Sequence, residues 1–172
     1  MKKIFALLLA LVLLCTASAL AEPVIFGTVN DQPVSIVPAQ GYTVTLQETD
    51  QGACGLITGE DETAVSFSVS IAYSEVFAGY TLDIDQLTEE QKANMQEILS
   101  PDFNEPEFRL FKTEDGLSLL LVDETDSMSE YAYILTVYDG YFVEIDMFKT
   151  SPVTQEDIDA AVTMMQSIRV EA

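Results

Sequence analysis

The alternation from Val65 to Tyr73 constrains the fold more than any other stretch of this chain. Val65, Phe67, Val69, Ile71 and Tyr73 take one parity, while Ser66, Ser68, Ser70 and Ala72 take the other. A strand so patterned buries one face and leaves the second polar. It is stable only within a sheet, and the C-terminal half supplies further strands. Glu107 to Lys112, Leu117 to Asp123, Tyr131 to Tyr138 and Tyr141 to Phe148 read as strands, separated by Asp115-Gly116, the acidic loop Glu124 to Ser129, and Asp139-Gly140. Asp115-Gly116 supplies turn chemistry, and Asp139-Gly140 marks a two-residue hairpin, because both central positions take positive φ. These segments predict an antiparallel four-strand meander.

Two helices accompany the strands. Thr88-Glu89-Glu90-Gln91 has the spacing of a capping box, which predicts a helix from Glu89 to Leu99 with Met95, Ile98 and Leu99 on one side. Pro101 ends it. Pro152 and Thr154 open a second helix, with Glu156 and Asp157 at its positive end. Ile158, Ala161, Val162, Met165 and Ile168 then form a stripe that docks on the sheet. Earlier in the chain, Pro33 to Pro38 reads as a short strand, Ala39-Gln40-Gly41 as a turn, and Tyr42 to Leu46 as the strand completing an N-terminal hairpin. Cys54 to Thr58 is another short strand, and Ser74 to Ile84 has no assignment. The expected architecture is α+β: an antiparallel β-sheet with an internal helix and a C-terminal amphipathic helix packed on it.

The first 21 residues read as a signal peptide. Lys2 and Lys3 precede an apolar run from Ile4 to Cys15, and Ala19-Leu20-Ala21 gives the small-x-small pattern before Glu22. The run is short for a membrane span, so the expectation is a chain secreted, or otherwise extracytoplasmic, after cleavage following Ala21, with no stable membrane insertion. Leu13 and Leu14 precede Cys15, a poor match to a lipoprotein signal, which needs small residues there. Residues 22–32 then read as an exposed lead-in, and residues 33–172 as a single α+β domain.

Charge excludes several partners. The whole chain carries 7 Lys+Arg against 29 Asp+Glu, a formal charge of −22. Loss of Lys2 and Lys3 with the signal leaves 5 − 29 = −24. Nucleic acid and anionic lipid require clustered Lys and Arg, so neither is an expected partner. Histidine is absent and Cys54 is the one cysteine after Ala21. There is therefore no Ser-His or Cys-His pair, no imidazole ligand and no intramolecular disulfide. No cofactor is expected.

This order of elements resembles the PsbP/Mog1-like α+β fold, as a secreted bacterial member. The residues that carry the resemblance are the opening Val34-Ser35-Ile36-Val37-Pro38-Ala39-Gln40-Gly41-Tyr42 and the closing Thr154 to Val170, which ends Ser167-Ile168-Arg169-Val170. The resemblance implies an accessory or binding role and carries over no catalytic residue.

Candidate chemistry is sparse. Glu144 and Asp146 lie two apart on a strand, so their carboxylates leave one face about 7 Å apart. Phe142 and Phe148 share that face by parity, while Tyr141, Val143, Ile145 and Met147 form the better core face. Such a pair binds a hard cation or works as acid and base; the plainer reading is a solvated outer face. Glu60-Asp61-Glu62, Asp83 with Asp85, and Asp123-Glu124 with Asp126 and Glu130 are further acidic groups. None follows the calcium-loop pattern, so Glu144, Asp146, Asp123, Asp126 and Glu130 are candidates only for weak divalent-cation binding. Cys54 reads as a small buried hydrophobe. Ser66, Ser68 and Ser70 either line a groove or let a helix pack close. Tyr131, Tyr133, Tyr138 and Tyr141 read as hairpin packing more than recognition. The sequence favours a non-enzymatic binding or accessory domain whose partner is a protein or cell-envelope component. The competing reading is a carboxylate-based or cation-dependent extracytoplasmic enzyme.

Overall fold

Two antiparallel sheets and two helices make up the fold in a computed structural model, which describes residues 22–47, 52–61, 63–99, 106–124 and 130–171. The large sheet contains β3 (Tyr42–Gln47), β4 (Ala53–Gly59), β5 (Ser66–Tyr73), β6 (Pro106–Lys112), β7 (Ser118–Glu124), β8 (Tyr131–Tyr138) and β9 (Tyr141–Phe148). Its seven strands run in the order β3-β4-β5-β9-β8-β7-β6. The predicted meander is present as β6 to β9, and β9 pairs antiparallel with β5 to join it to the rest of the sheet. Asp139 and Gly140 make the β8–β9 turn with φ of 50° and 84°, as the Asp-Gly pair dictates.

The small sheet contains β1 (Val24–Val29), β2 (Gln32–Ile36) and β10 (Arg169–Val170), in the order β1-β2-β10. Two sequence expectations are corrected here. Residues 22–32 are not a wholly exposed lead-in, since residues 24–29 form β1 and bury Phe26 and Val29. Strict alternation misses this strand because its register shifts between Ile25 and Gly27. Gly27 also passes so close to β4 that a Cβ there would lie 2.6 Å from Ala53 Cβ. The N-terminal hairpin is likewise β1–β2, turned by Asn30 and Asp31 at φ of 51° and 61°. It is not the β2–β3 hairpin expected, for β2 pairs with β1 and β10 while β3 pairs with β4 in the other sheet.

Helix α1 (Glu89–Leu99) starts with the predicted reciprocal cap. Gln91 N donates to Thr88 Oγ1 at 3.2 Å, and Thr88 N donates to Gln91 Oε1 at 2.8 Å. Met95 and Leu99 pack on Leu120, Val122 and Tyr133, but Ile98 is 71% exposed and does not share their contact. Helix α2 (Gln155–Ser167) buries Ile158, Ala161 and Met165 as its stripe predicts, together with Met164. Its cap Thr154 and the third helical residue, Asp157, bond reciprocally, and Lys149 Nζ reaches Asp157 Oδ2 at 2.9 Å.

The core lies on one face of the large sheet. There Phe67, Val69, Ile134 and Ile145 meet Phe26, Val34 and Ile36 from the small sheet and the buried stripe of α2. Each such side chain contributes roughly 1.5–3 kcal/mol on burial. The other face is divided: α1 covers the cluster on β7 and β8, while the β4, β5 and β9 portion carries polar residues.

Candidate functional site

The register of β5, β9 and β8 assembles the site. Ser68 lies opposite Asp146, and Ser70 opposite Glu144, on the β5 side. Tyr133 and Leu135 stand opposite the same two acids on the β8 side. Cys54 extends the row by pairing with Ser70 from β4. Because successive residues point to opposite faces, the residues that alternate with these acids, Val143, Ile145 and Met147, are buried in the core. The predicted division of β9 into a core parity and an acidic parity therefore holds.

Aromatic rings close the row of acids at both ends. Tyr131 and Phe148 stack with centroids 5.0 Å apart, and Phe142 meets Phe77 edge-on at 5.0 Å. Phe77 comes from the stretch left unassigned in the sequence, which contains a 3-10 turn at Glu75–Phe77. This segment is pinned to the hairpin. Gly140 N donates to Tyr80 O at 2.9 Å, Leu82 N to Val137 O at 2.9 Å, and Asp139 N to Thr81 Oγ1 at 3.0 Å. A Cβ on Gly140 would stand 3.0 Å from Phe77 O, so only glycine lets the strap lie this close. No local pattern in residues 74–84 announces these contacts, since they depend on the hairpin 58 residues away.

The two acids are half-buried, and that sets their chemistry. Burial pushes the Glu144 carboxyl above the ordinary carboxylate range, and the neighbouring Asp146 charge adds to it. Burial also raises Asp146, against the pull of the Tyr131 hydroxyl, which donates to Asp146 Oδ1 at 2.7 Å. Tyr131 is itself pushed far above a normal phenol, first by burial and then by the Asp146 hydrogen bond. Parity gives the Tyr131 position in sequence; the hydrogen bond needs the β8–β9 register. The face thus holds two carboxylates that favour either a proton or a cationic neighbour.

The other sequence candidates do not join them. Asp123 lies on the opposite face, across from Glu107 on β6. Glu130 is exposed ahead of β8, and Asp126 falls outside the described residues, as do the signal segment and its cleavage site. Asp83 and Asp85 are held by Lys112, at 2.7 Å in the case of Asp83; hydrogen bonds from Lys112 and Gln86 pull the Asp83 carboxyl down. Asp61 accepts from Thr63 N at 2.9 Å, closing a local turn. Among the described residues no group of three or more Asp, Glu, Cys or His side chains is arranged to hold a metal ion. Cys54 is corrected from a core position: it is half-buried on the polar face, its Sγ 3.3 Å from Gln47 Oε1, because Ala53 and Gly55 take the core parity. Of the tyrosines, Tyr141 packs with Tyr73 at 5.0 Å and bonds Gln32, whereas Tyr138 is exposed.

Among the described residues no helix is long and apolar enough to cross a membrane. No family model matches the chain, and no curated protein matches it. Among solved structures it is similar to the solution structure of cyanobacterial PsbP (CyanoP) from Synechocystis sp. PCC 6803, at 11% identity and a TM-score of 0.39. The match covers 80% of this chain and 86% of that one.

Proposed function

We propose that this chain is an exported, non-enzymatic binding or accessory domain that meets a protein or envelope component outside the cytoplasm through the open half of its large sheet. One observation carries the reading: Glu144 and Asp146 stand half-buried between two aromatic pairs, beside the cluster on the same sheet face that α1 covers. A basic side chain from a partner relieves the mutual repulsion of the two acids, and the flanking rings add apolar and cation–π contact. The excess of acidic residues draws such a partner in over longer range.

The test is retention of solubilised envelope proteins on the immobilised chain and on a Glu144→Gln/Asp146→Asn double variant. Basic proteins held by the first, released by salt and not held by the second are the expected result. Equal retention by both overturns the reading.

An acid–base enzyme is the second reading, favoured by the raised pKa of Glu144 and Asp146. Two hollows lie elsewhere, beside β6 and α2. Turnover of glycoside or ester reporters that the same double variant abolishes, with a bell-shaped pH profile, decides for the enzyme.

A further inference from the structure

On the opposite face of the large sheet, a groove runs between edge strand β6 and helix α2. It consists of two adjoining hollows of ≈ 350 Å³ and ≈ 460 Å³ that share Phe111, Gln155 and Ile158. Val162 lines one end and Leu121 the other. The groove lies beside β6, which ends the sheet order and has no strand on its outer side among the described residues, Asp83 and Asp85 meeting it at Lys112. A free edge with an apolar trough beside it is the geometry in which an extended segment adds as a further strand.

Arg109 indicates what that segment carries. In a chain of 29 Asp+Glu, the other described cations all make hydrogen bonds. Lys92 bonds Glu89, Lys112 bonds Asp83 and Asp85, Lys149 bonds Asp157, and Arg169 donates to two backbone carbonyls. Arg109 sits at the groove beside Leu121, and its buried Nε donates no hydrogen bond. That Nε has no hydrogen bond and meets Glu107 Oε1 in a loose ion pair at 3.5 Å. A guanidinium held this loosely keeps donors at its half-exposed end, and a carboxylate meets them best.

We propose that the β6–α2 groove is a docking site for an extended peptide segment of a partner protein, which adds antiparallel to β6 and places an acidic side chain against Arg109. Register then fixes the pattern. Glu107, Arg109 and Phe111 share the groove face, so the segment presents an apolar, an acidic and a basic side chain at alternate positions. This site is independent of the Glu144–Asp146 face, so either can fail alone.

The probe is the blocked peptide acetyl-TVTETKT-amide, added to the isotope-labelled chain up to roughly 5 mM, the range in which short unstructured peptides bind. The expected result is backbone amide shifts confined to β6 and the facing side of α2. Replacing the peptide's Glu by Gln weakens binding about fivefold, as does Arg109→Gln in the protein, and combining the two costs no more than either alone. An unchanged melting temperature shows that the variant is folded. Absence of shifts on β6, equal affinity for the Glu and Gln peptides, or shifts on the Glu144 face instead overturns the proposal. So does aggregation of Arg109→Gln with unaltered peptide binding, which makes Arg109 a guard of the sheet edge.

Discussion

Glu144 and Asp146 each have a folded-state pKa above their unfolded one, so the folded protein retains protons that the unfolded chain has released. Ionising them costs stability as pH rises through the folded values, and that cost is absent below the unfolded values near about 4. Glu144→Gln is therefore expected to raise the melting temperature by about 2–4 °C at neutral pH, equivalent to ~1 kcal/mol, with the gain narrowing as pH falls toward about 5. Thermal unfolding of both proteins across that range checks it; a variant less stable at neutral pH contradicts the electrostatic account. Tyr131→Phe acts in the other direction on Asp146, removing the one hydrogen bond that lowers its pKa. Carboxyl titration by NMR should show Asp146 moving further up. An unmoved Asp146 means that the phenol does not stabilise its charge.

At the scale of elements, α2 depends on its first turn. Burial pushes the Asp157 carboxyl up, but hydrogen bonds from Lys149 and from the Thr154 amide and hydroxyl outweigh it, and its pKa is lowered. Its stabilisation is present above the unfolded pKa and lost as pH falls through the folded one, the reverse of Glu144. Thr154→Ala removes the cap and should cost about 1 kcal/mol. Lys149→Met should cost more, about 2–3 kcal/mol, because Asp157 stays buried without its cation. Denaturant unfolding measures both, and a smaller loss for Lys149→Met refutes the ranking. These elements also show what sequence can and cannot reveal. Both helix caps, the Asp139-Gly140 turn and the parity of β9 rest on neighbours within a few residues, so they were legible. Strand β1 was not, because a bulge breaks its alternation and the Asn30-Asp31 turn lacks the glycine that marks such hairpins. The Glu144–Asp146 pair was legible as a pair. Its aromatic end at Phe77 and the groove at Arg109 depend on packing across the chain, which no local pattern encodes.

For the molecule as a whole, charge and core pull against each other. With 29 Asp+Glu against 7 Lys+Arg, like charges crowd more in the folded state than in the expanded one. Melting temperature should rise smoothly with NaCl as screening increases, and millimolar Ca²⁺ or Mg²⁺ should add only a modest further gain. Saturable micromolar Ca²⁺ binding by calorimetry would contradict this, and its loss on replacing Glu144 and Asp146 would make them the ligands. The proposed export has its own check at this scale: intact mass of exported material should correspond to a chain beginning at Glu22. A diacylglycerol adduct on Cys15 would instead tether the protein to a membrane.

The small sheet places β2 between a strand from the start of the domain and one from its last residues. Val34 pairs with Val170, and Val37 N reaches Ser167 Oγ across 130 positions. Residues 130 positions apart must therefore meet before the small sheet is complete, which makes its closure a long-range step. Removing Arg169 and Val170 would leave β2 with β1 as its one strand neighbour among the described residues.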